Sequence, residues 1–379
     1  MALSADTGGL HGYDLYSASN IHEDLRDVVD LIGPAETPFL ARIGFGGEPA
    51  TNTKIDWAED ELHAISTLTT EALDNSETGV DVTATTGTEF YEGSIIEVDD
   101  GSDAERMIVT ASAANSLTVA RGQCGTSATT HDTGATVRLL GHTSYDNTDI
   151  TTDKTKTASI KSNYVQPILI PLEITEIGKA VNSVKGADIW QYEKEIRLKE
   201  ALRSLEIAAL RGAKQSSSPQ GSGSVMSTMD GCIALVSTNE TAASSATLTE
   251  AHLRAAMKTS WDNGSSVNLG VCNAFQAEQI SSWMEGRVRQ AVGESRVGSV
   301  VTQYVCEYGS IDIMLNRYMP NDTVLLVDPS KIQLRPMIPW TYFEVARTGT
   351  AEKGFVYGVY SLELRNEKQH AKITGLATS

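Results

Sequence analysis

The sequence predicts an α+β protein, and three features of the chain support that prediction. The first 160 residues contain 25 of the 39 threonines, and glycine and aspartate interrupt short β-branched runs there. One long helical pattern follows after residue 183, and strand and helix patterns then alternate toward the C-terminus. β-branched residues favour strands, whereas apolar residues at helical spacing favour helices. A chain of 379 residues is long enough for two or three domains with their own cores.

The first predicted element is a helix over residues 20–32. Asn20 can cap it, Glu23 and Asp24 suit its positive N-terminal end, and a Gly-Pro pair stops it. Its other face is strongly acidic, and its narrow apolar stripe consists of Ile21, Leu25, Val28 and Ile32. An arm that lies on a neighbouring surface and an ordinary surface helix of its own domain explain this pattern equally well.

Residues 87–141 form a block of short β-type runs separated by turns. Gly, Asp, Asn and Ser between the runs are typical turn residues. The runs cover residues 94–98, 104–111, 116–121 and 135–140. This pattern predicts a small β-barrel or sandwich inserted between two extended segments.

The longest predicted helix lies between Gly186 and Gly212 and has about 24 residues, or roughly 36 Å at 1.5 Å per residue. One side is apolar and the other mixes acids and bases at ion-pair spacing, so we expect a half-buried spine. The apolar side carries Ile189, Tyr192, Ile196, Ala201, Leu205, Ala208 and Ala209, with Leu198 and Leu202 widening it. The charged side carries Glu193, Lys194, Glu195, Arg197, Lys199, Glu200, Arg203 and Glu206.

The rest of the chain alternates strand and helix patterns. Thr249 and Asn273 are predicted to cap two further helices, each with apolar residues at helical spacing. Strand patterns occupy residues 267–271, 300–305, 311–315, 323–327, 341–346, 355–366 and 371–374. We therefore expect a mixed α+β region with a late sheet, closed by strands from the C-terminus.

The net charge of -19 lies almost entirely in the first quarter of the chain. Residues 1–100 contain 21 acids and three bases, whereas residues 101–379 are nearly neutral. Affinity for DNA comes mostly from lysine and arginine, so such a chain should not follow a phosphate backbone. The acidic segment is either a solvated face that aids solubility or a surface that meets a basic surface on another copy.

A search for catalytic, cofactor-binding and metal-binding motifs finds none. The chain lacks GxSxG, GxxxxGK[ST], HExxH and GxGxxG patterns, and its seven histidines form no pair at helical spacing. The four cysteines are 34 to 108 residues apart without a CxxC pair, which indicates reduced, mostly buried thiols. No apolar run is long enough to span a membrane, and no secretory signal is evident. We assign no catalytic residue, cofactor or metal ligand.

Several short motifs, in this order along the chain, resemble one group of tailed-bacteriophage major capsid proteins. These are podovirus-type coat proteins related to the Hong Kong 97-type fold, in which a TPFL…IG arm runs into a TNT…W…D.L strand. The similar residues are 34–40, Gly44, 50–54, Trp57, Asp60 and Leu62, then Glu195, Ala201, Leu205, Glu206, Ala208, Leu210 and Gly212 in the long helix, and finally 261–264, 317–320, 348–349, Leu362 and Asn366.

The resemblance implies a division of the chain into the parts of a Hong Kong 97-type subunit. Residues 1–50 would be the N-terminal arm, and residues 51–86 and 142–175 the extended loop, with the inserted β module 87–141 at its tip. Residues 176–225 and 328–379 would form the peripheral domain around the spine helix, and residues 226–327 the axial domain. The inserted module departs from the shortest version of the fold.

The resemblance also implies which residues take part in assembly. Candidates for the arm and loop interface are Leu25, Val28, Thr37, Pro38, Phe39, Lys54, Trp57 and Asp60. Candidates on the spine helix are Ile189, Ile196, Arg197, Leu198, Lys199, Leu202, Arg203 and Leu205. We expect the acidic arm and loop to contact bases of residues 154–214 on a neighbouring subunit.

The function implied is structural: a coat protein that self-assembles into hexamers and pentamers of an icosahedral shell around double-stranded DNA. Its partners would be other copies, a scaffold protein, a portal protein, a cement protein, and packaged DNA without sequence-specific contacts. Assembly would occur in the host cytoplasm, and the protein would reside in the virion. A tail-tube or surface-array protein and a hydrolase with an unrecognised acidic site are the alternatives. We also expect a shell without covalent cross-links or chain trimming, and a module 87–141 that folds by itself.

Overall fold

A computed structural model of the chain describes residues 36–46, 48–144, 146, 155–180, 189–215, 225–265, 267–284, 303–347 and 349–378. The chain divides into two compact units. Unit 1 comprises Met1–Trp57 and Ser162–Ser379, and unit 2 comprises Ala58–Lys161. Unit 2 is therefore inserted within the sequence of unit 1.

Helices and strands are mixed in unit 1, whereas the regular structure of unit 2 is mainly strand. In the described residues the helices are α1 (Pro38–Ile43), α2 (Glu176–Ala180), α3 (Ile189–Arg211), α4 (Cys232–Leu235), α5 (Glu250–Asp262) and α6 (Ala274–Met284). The strands are β1 (Lys54–Glu59), β2 (Ser66–Leu68), β3 (Gly79–Asp81), β4 (Ser94–Asp99), β5 (Ala104–Ser112), β6 (Ser116–Ala120), β7 (Thr136–His142), β8 (Ser159–Tyr164), β9 (Gln166–Thr175), β10 (Glu240–Ala242), β11 (Leu269–Cys272), β12 (Gln303–Cys306), β13 (Gly309–Leu315), β14 (Val324–Val327), β15 (Ile332–Val345), β16 (Ala351–Leu364) and β17 (Ala371–Thr374).

One part of unit 1 is a six-stranded mixed sheet in the order β10-β17-β14-β11-β13-β12. β10 and β17 are parallel, as are β11 and β13, and the other neighbours are antiparallel. Every residue of β11 and β14 is buried, which explains why their sequences are continuous apolar runs. The sheet and helices α5 and α6 share a core that includes Leu253, Met257, Ile280, Leu326 and Ile373.

The other part of unit 1 is a three-stranded antiparallel sheet in the order β15-β16-β9. α3 packs against β9 and β16, and their shared core includes Leu205, Leu210, Leu334 and Leu362. β15 contains two prolines and lies at the edge of the sheet, where a missing backbone N–H is tolerated. Thus α3 is half-buried on a sheet, as the sequence predicts.

Unit 2 contains a second six-stranded sheet, antiparallel throughout, in the order β2-β7-β4-β5-β6-β3. The N–H of Thr70 donates to the Asp81 carbonyl at 2.9 Å, and the N–H of Thr83 donates to the Leu68 carbonyl at 3.0 Å. These bonds join the two end strands, so hydrogen bonding continues around all six strands and protects the edges. The core contains Val80, Phe90, Ile96, Val98, Met107, Val109, Leu117 and Val137.

This sheet includes more of the chain than the predicted block at residues 87–141. The runs predicted there correspond to β4, β5, β6 and β7, but β2 and β3 precede residue 87 and belong to the same sheet. Each of these two strands has only three residues, too few to show an alternating pattern in the sequence. The sheet therefore begins before residue 87, the N-terminal boundary that the sequence predicts for the module, and includes β2 at residues 66–68.

The two strands that lead into and out of unit 2 pair with each other. β1 and β8 form a two-stranded sheet. The hydroxyl of Ser159 donates to the Glu59 carbonyl at 3.2 Å, and the N–H of Val165 donates to the Thr53 carbonyl at 3.0 Å. The chain therefore enters and leaves the insertion on adjacent strands, an arrangement that inserted domains commonly show.

The predicted helices of unit 1 are confirmed where the structure describes them. α3 ends one residue before Gly212, where a β-carbon would lie 2.5 Å from the carbonyl oxygens of Ala208 and Met229. Only glycine allows this close approach of two backbone segments. Thr249 caps α5, and the Asn273 side chain accepts a hydrogen bond from the first N–H of α6. The helix predicted over residues 20–32 lies outside the described residues.

Candidate functional site

A buried carboxylate on α3 holds the segment that enters α1. The backbone N–H groups of Phe39 and Leu40 donate to the two carboxylate oxygens of Glu206 at 2.9 and 2.8 Å. The side-chain amide of Asn316 donates to the same carboxylate at 2.5 Å. Glu206 and Phe39 are fully buried, and Asn316 is 1% exposed. This group, called here the Glu206 anchor, joins α3 to the start of α1 and to the chain after β13.

The Glu206 anchor has a structural role because its hydrogen-bonding capacity is used within the unit. Burial raises the pKa of Glu206 above its usual range, and hydrogen bonds from Leu40, Phe39 and Asn316 oppose that rise. All three donors are neutral N–H groups, and each would be a buried, unsatisfied donor without the carboxylate. The anchor therefore positions the chain before α1 and presents no open acid to a substrate.

Two exposed ion pairs lie near the anchor in unit 1. Arg42 of α1 pairs with Asp312 of β13 at 3.1 Å. Arg317, next to Asn316, pairs with Glu36 at 3.7 Å. Exposed pairs of this kind contribute at most about 1 kcal/mol each. The buried hydrogen bonds of Glu206 are therefore the stronger determinant of where residues 36–40 lie.

The sequence predicts the importance of the TPFL segment but not the contacts that it makes. Phe39 was predicted at an arm and loop interface, and the structure instead places its side chain in the core of its own unit. Pro38 occupies the first turn of α1, where its missing N–H is harmless. Glu206 was assigned to the charged side of the helix. One sequence feature could have indicated the burial of Glu206: it lies between Leu205 and Leu210, in a stretch where nearly every residue is buried.

The remaining interface candidates fall into three groups. Leu25 and Val28 lie outside the described residues. Thr37 and Pro38 are half-buried beside the Glu206 anchor, and Trp57 packs against the small core of Ala50, Ile55, Val165 and Val359. Lys54 and Asp60 are exposed, and Lys54 forms an ion pair with Asp56 at 3.0 Å. The structure thus brings Thr37, Pro38 and Phe39 together at α1 and places Lys54 and Trp57 on β1.

The spine candidates divide along the length of α3. Leu198 and Lys199 are exposed, and Leu205 is fully buried. Arg197 forms ion pairs with Glu193 at 3.2 Å and with Glu200 at 2.5 Å, which confirms the predicted pairing along the helix. The half-buried candidates are Ile189, Ile196, Arg197, Leu202 and Arg203.

A second buried carboxylate, which sequence reasoning missed, lies in unit 2. Arg121 binds Glu105 through two nitrogens, at 2.9 and 2.6 Å, and the N–H groups of Gly122 and Thr129 donate to it at 2.8 and 3.1 Å. His131 lies 3.3 Å from the same carboxylate. The sequence could have indicated this burial, because Glu105 shares the inward-facing side of β5 with Met107 and Val109, two and four residues further on.

The environment of Glu105 stabilises its ionised form. Burial by itself would raise the pKa, but hydrogen bonds from Arg121 and from the Thr129 and Gly122 N–H groups lower the pKa of Glu105 to about 2. Arg121 also donates to the carbonyls of Asp74 and Glu77, so it fastens the loop between β2 and β3 to the sheet. This network stabilises unit 2 internally.

Among the described residues, no group of three or more His, Cys, Asp or Glu side chains is placed to hold a metal ion. In the same residues, no helix combines the length and apolar character needed to cross a membrane. All four cysteines are free, and burial raises the pKa of Cys272 to about 12. Cys232 and Cys272 are buried as expected, whereas Cys124 is exposed.

Comparisons with known proteins identify the class to which this chain belongs. The family model described as SU10 major capsid protein matches residues 7–377, which is nearly the whole chain. A match of that extent defines a structural coat protein of a tailed bacteriophage. The chain belongs to the SU10 major capsid protein family. The capsid resemblance found in its sequence motifs is thereby confirmed.

Solved structures with similarity to the chain include phage and encapsulin proteins. A solved chain from Microbacterium phage Oxtober96 is 14% identical, with a TM-score of 0.49, and the match covers 92% of this chain and 94% of that chain. The capsid of Myoviridae phage XM1 is 11% identical, with a TM-score of 0.46, and the match covers 93% of this chain and 97% of that chain. The holo-SrpI encapsulin complex from Synechococcus elongatus PCC 7942 is 9% identical, with a TM-score of 0.43, and the match covers 58% of this chain and 77% of that chain. No protein of curated function matches the chain.

Proposed function

We propose that this coat protein assembles with other copies of itself into hexamers and pentamers of an icosahedral shell that encloses double-stranded DNA. The observation that carries the proposal is the match to a major capsid protein family over residues 7–377. The mixed α+β character of unit 1 and the β unit inserted in its sequence are compatible with a subunit of the Hong Kong 97 type. In this proposal the subunit acts by packing, and we assign it no catalytic residue.

The proposed parts of the subunit follow the sheets of the structure. We propose that α3 and the β15-β16-β9 sheet form the peripheral domain, and we assign residues 166–175 to it and not to the extended loop, because β9 belongs to that sheet. The six-stranded sheet of unit 1 would form the axial domain, and it includes β17 from the C-terminus. These assignments of residues 166–175 and of β17 differ from the division that the sequence motifs imply. They differ because strands distant in sequence pair in one sheet, and the order of motifs along a chain does not reveal such pairing.

The charge distribution suits a wall around packed DNA. Residues 1–100 contain 21 acids and three bases, so this quarter of the chain gains little from contact with phosphate groups. In the assembled shell, acids of the arm and loop outside residues 20–32 can instead face bases of residues 154–214 on a neighbouring copy. Scaffold, portal and cement proteins are further proposed partners, with assembly in the host cytoplasm and residence in the virion.

Electron microscopy of the protein, expressed alone and together with neighbouring viral genes, tests this function. We expect closed shells of uniform diameter or hexameric and pentameric rings. Long tubes would favour a tail-tube protein and flat lattices a surface-array protein, and either result would contradict the proposal. If charge pairs guide assembly, added salt should slow shell formation more than it destabilises finished shells.

A further inference from the structure

One face of α3 continues from the Glu206 anchor toward the N-terminus of the helix, and the described residues do not fully cover it. Leu202 and Lys199 precede Glu206 by four and seven residues, which are one and two helical turns, so the three side chains share a face. Leu198 lies beside Lys199 and is 39% exposed, and Arg203 is half-buried. We call Leu198, Lys199, Leu202 and Arg203 the open α3 face.

The open α3 face combines apolar side chains with bases that have no acidic partner within the described part of the chain. Among the described residues, no carboxylate lies within ion-pair distance of Lys199 or Arg203. Arg197, on another side of the same helix, is by contrast held by Glu193 and Glu200. A ligand for this face therefore needs carboxylates next to apolar side chains.

The chain that precedes the Glu206 anchor has that composition. Residues 1–35 lie outside the described residues, and they lead directly into Glu36 and Thr37 beside the anchor. Within them, residues 20–32 have four acids and one arginine, and their sequence predicts a helix with a narrow apolar stripe. Thirteen helical residues extend about 20 Å, close to the roughly 26 Å of α3 between Ile189 and Glu206.

We propose that residues 20–32 dock as a helix on the open α3 face of the same chain. The acids of the segment would pair with Lys199 and Arg203, and its apolar stripe would cover Leu198 and Leu202. Only residues 33–37 separate the segment from α1, so the anchor keeps it near α3 at a high effective concentration. This docking does not depend on shell assembly, and it is tested on the unassembled full-length chain.

Hydrogen exchange of residues 20–32 tests the docking. We expect slowed exchange of residues 20–32 in the unassembled protein. In Lys199→Glu this exchange should become roughly fivefold faster, which is the effect expected from the loss of one or two exposed ion pairs. Lys258→Glu is the matched control, because Lys258 is an exposed lysine of α5 without an ion pair among the described residues. Asp24→Lys changes the segment and leaves α3 intact, and it should reproduce the effect. Exchange as fast as in an unfolded peptide, or equal acceleration in the control, would overturn the proposal.

Cross-linking of isotopically mixed protein distinguishes docking within a chain from docking between chains. Equal amounts of ¹⁵N-labelled and unlabelled unassembled protein are treated with a carbodiimide, which joins a carboxylate to an amine with loss of water. We expect links between Lys199 and the acids of residues 20–32 in peptides of a single isotope. Links of mixed isotope in the proportion expected for random pairing of chains would show that the occupant is a second copy and would refute the proposal. Absence of Lys199 links would refute it as well.

Discussion

At the scale of single residues, Glu206 shows how one buried carboxylate determines a local chain path. The N–H groups of Phe39 and Leu40 and the amide of Asn316 converge on it inside an otherwise apolar core. A buried polar group is tolerated only when its partners satisfy it, and here each partner satisfies the other. The group therefore specifies where α1 begins relative to α3.

Replacing Glu206 with alanine should strongly destabilise unit 1. We expect Glu206→Ala to lower the free energy of unfolding by about 2 to 4 kcal/mol, because three buried donors lose their acceptor. Chemical denaturation followed by tryptophan fluorescence measures the change. Glu195→Ala, an exposed glutamate of the same helix, is the control and should change stability by less than about 0.5 kcal/mol. Equal effects of the two variants would contradict the assigned role of Glu206.

Glu105 should make unit 2 sensitive to acid. Its pKa is about 2 in the folded chain against an ordinary value of 4.5, so the folded state favours the ionised form. The resulting stability, up to about 3 kcal/mol, is present above pH 4.5 and is lost as the pH falls toward 2. Hydrogen exchange of β5 and β6 at several pH values measures it.

The control for this pH dependence is Glu105→Gln, which has no charge to lose. The difference in protection between the wild type and Glu105→Gln should shrink as the pH falls through this range. A difference that stays constant between pH 5 and pH 2.5 would contradict the role of the carboxylate charge.

A strand glycine in unit 1 allows an aromatic ring to lie across the sheet. A β-carbon on Gly358 of β16 would lie 2.6 Å from a ring carbon of Trp340 and 2.8 Å from one of Tyr360. We expect Gly358→Ala to destabilise the chain by about 1 to 3 kcal/mol, as overpacking does. Gly141→Ala in β7 is the control, since nothing lies within 4 Å of its added carbon. Thermal unfolding compares the two, and equal midpoints would contradict the packing argument.

At the scale of elements, the closed sheet of unit 2 changes which deletion the chain should tolerate. Removal of residues 87–141 alone would leave β2 and β3 without the strands that they pair with. It would also expose Leu73, Val80 and Val82 of the same core. We expect that variant to aggregate, because unpaired strands and exposed apolar side chains favour association.

A deletion that removes the whole closed sheet should instead be soluble. Replacing residues 61–157 with a short Gly/Ser linker connects β1 to β8, which are already paired neighbours. We expect unit 1 to keep its circular dichroism spectrum and its cooperative unfolding. Size-exclusion chromatography and denaturation of both deletion variants test this pair of predictions. Aggregation of the longer deletion would show that unit 1 needs unit 2 in order to fold.

At the scale of the whole molecule, cohesion of the shell should come from non-covalent contacts. Lys54 is the only lysine in the first 153 residues, and its side chain is 42% exposed beside Asp56. Large interlocked interfaces can supply the necessary stability without covalent bonds.

Particles boiled in detergent with a reducing agent should therefore dissociate completely. We expect one band at the mass of a single chain on a denaturing gel. The reducing agent is needed because Cys124 is exposed and can oxidise during handling. A ladder of multimers that resists reduction would contradict the prediction.

Local sequence patterns determined the main elements of this protein and the family to which it belongs. The spacing of apolar residues predicted α3, and turn residues marked the strands β4 to β7. Capping residues marked the starts of α5 and α6. These features depend on neighbours within a few residues, so a single sequence contains them. The ordered capsid motifs predicted the family that the comparison then confirmed.

Only the tertiary structure decided which distant residues meet. Glu206 and Glu105 look like surface acids in the sequence, yet both are buried, Glu206 with a partner 167 residues away and Glu105 with partners up to 26 residues away. β2 and β3 are too short to be recognised alone and exist as strands because β7 and β6 provide their hydrogen bonds. β17 likewise joins the six-stranded sheet of unit 1 through pairing with β14. Long-range pairing and burial arise from the packing of the whole chain, and no local pattern specifies them.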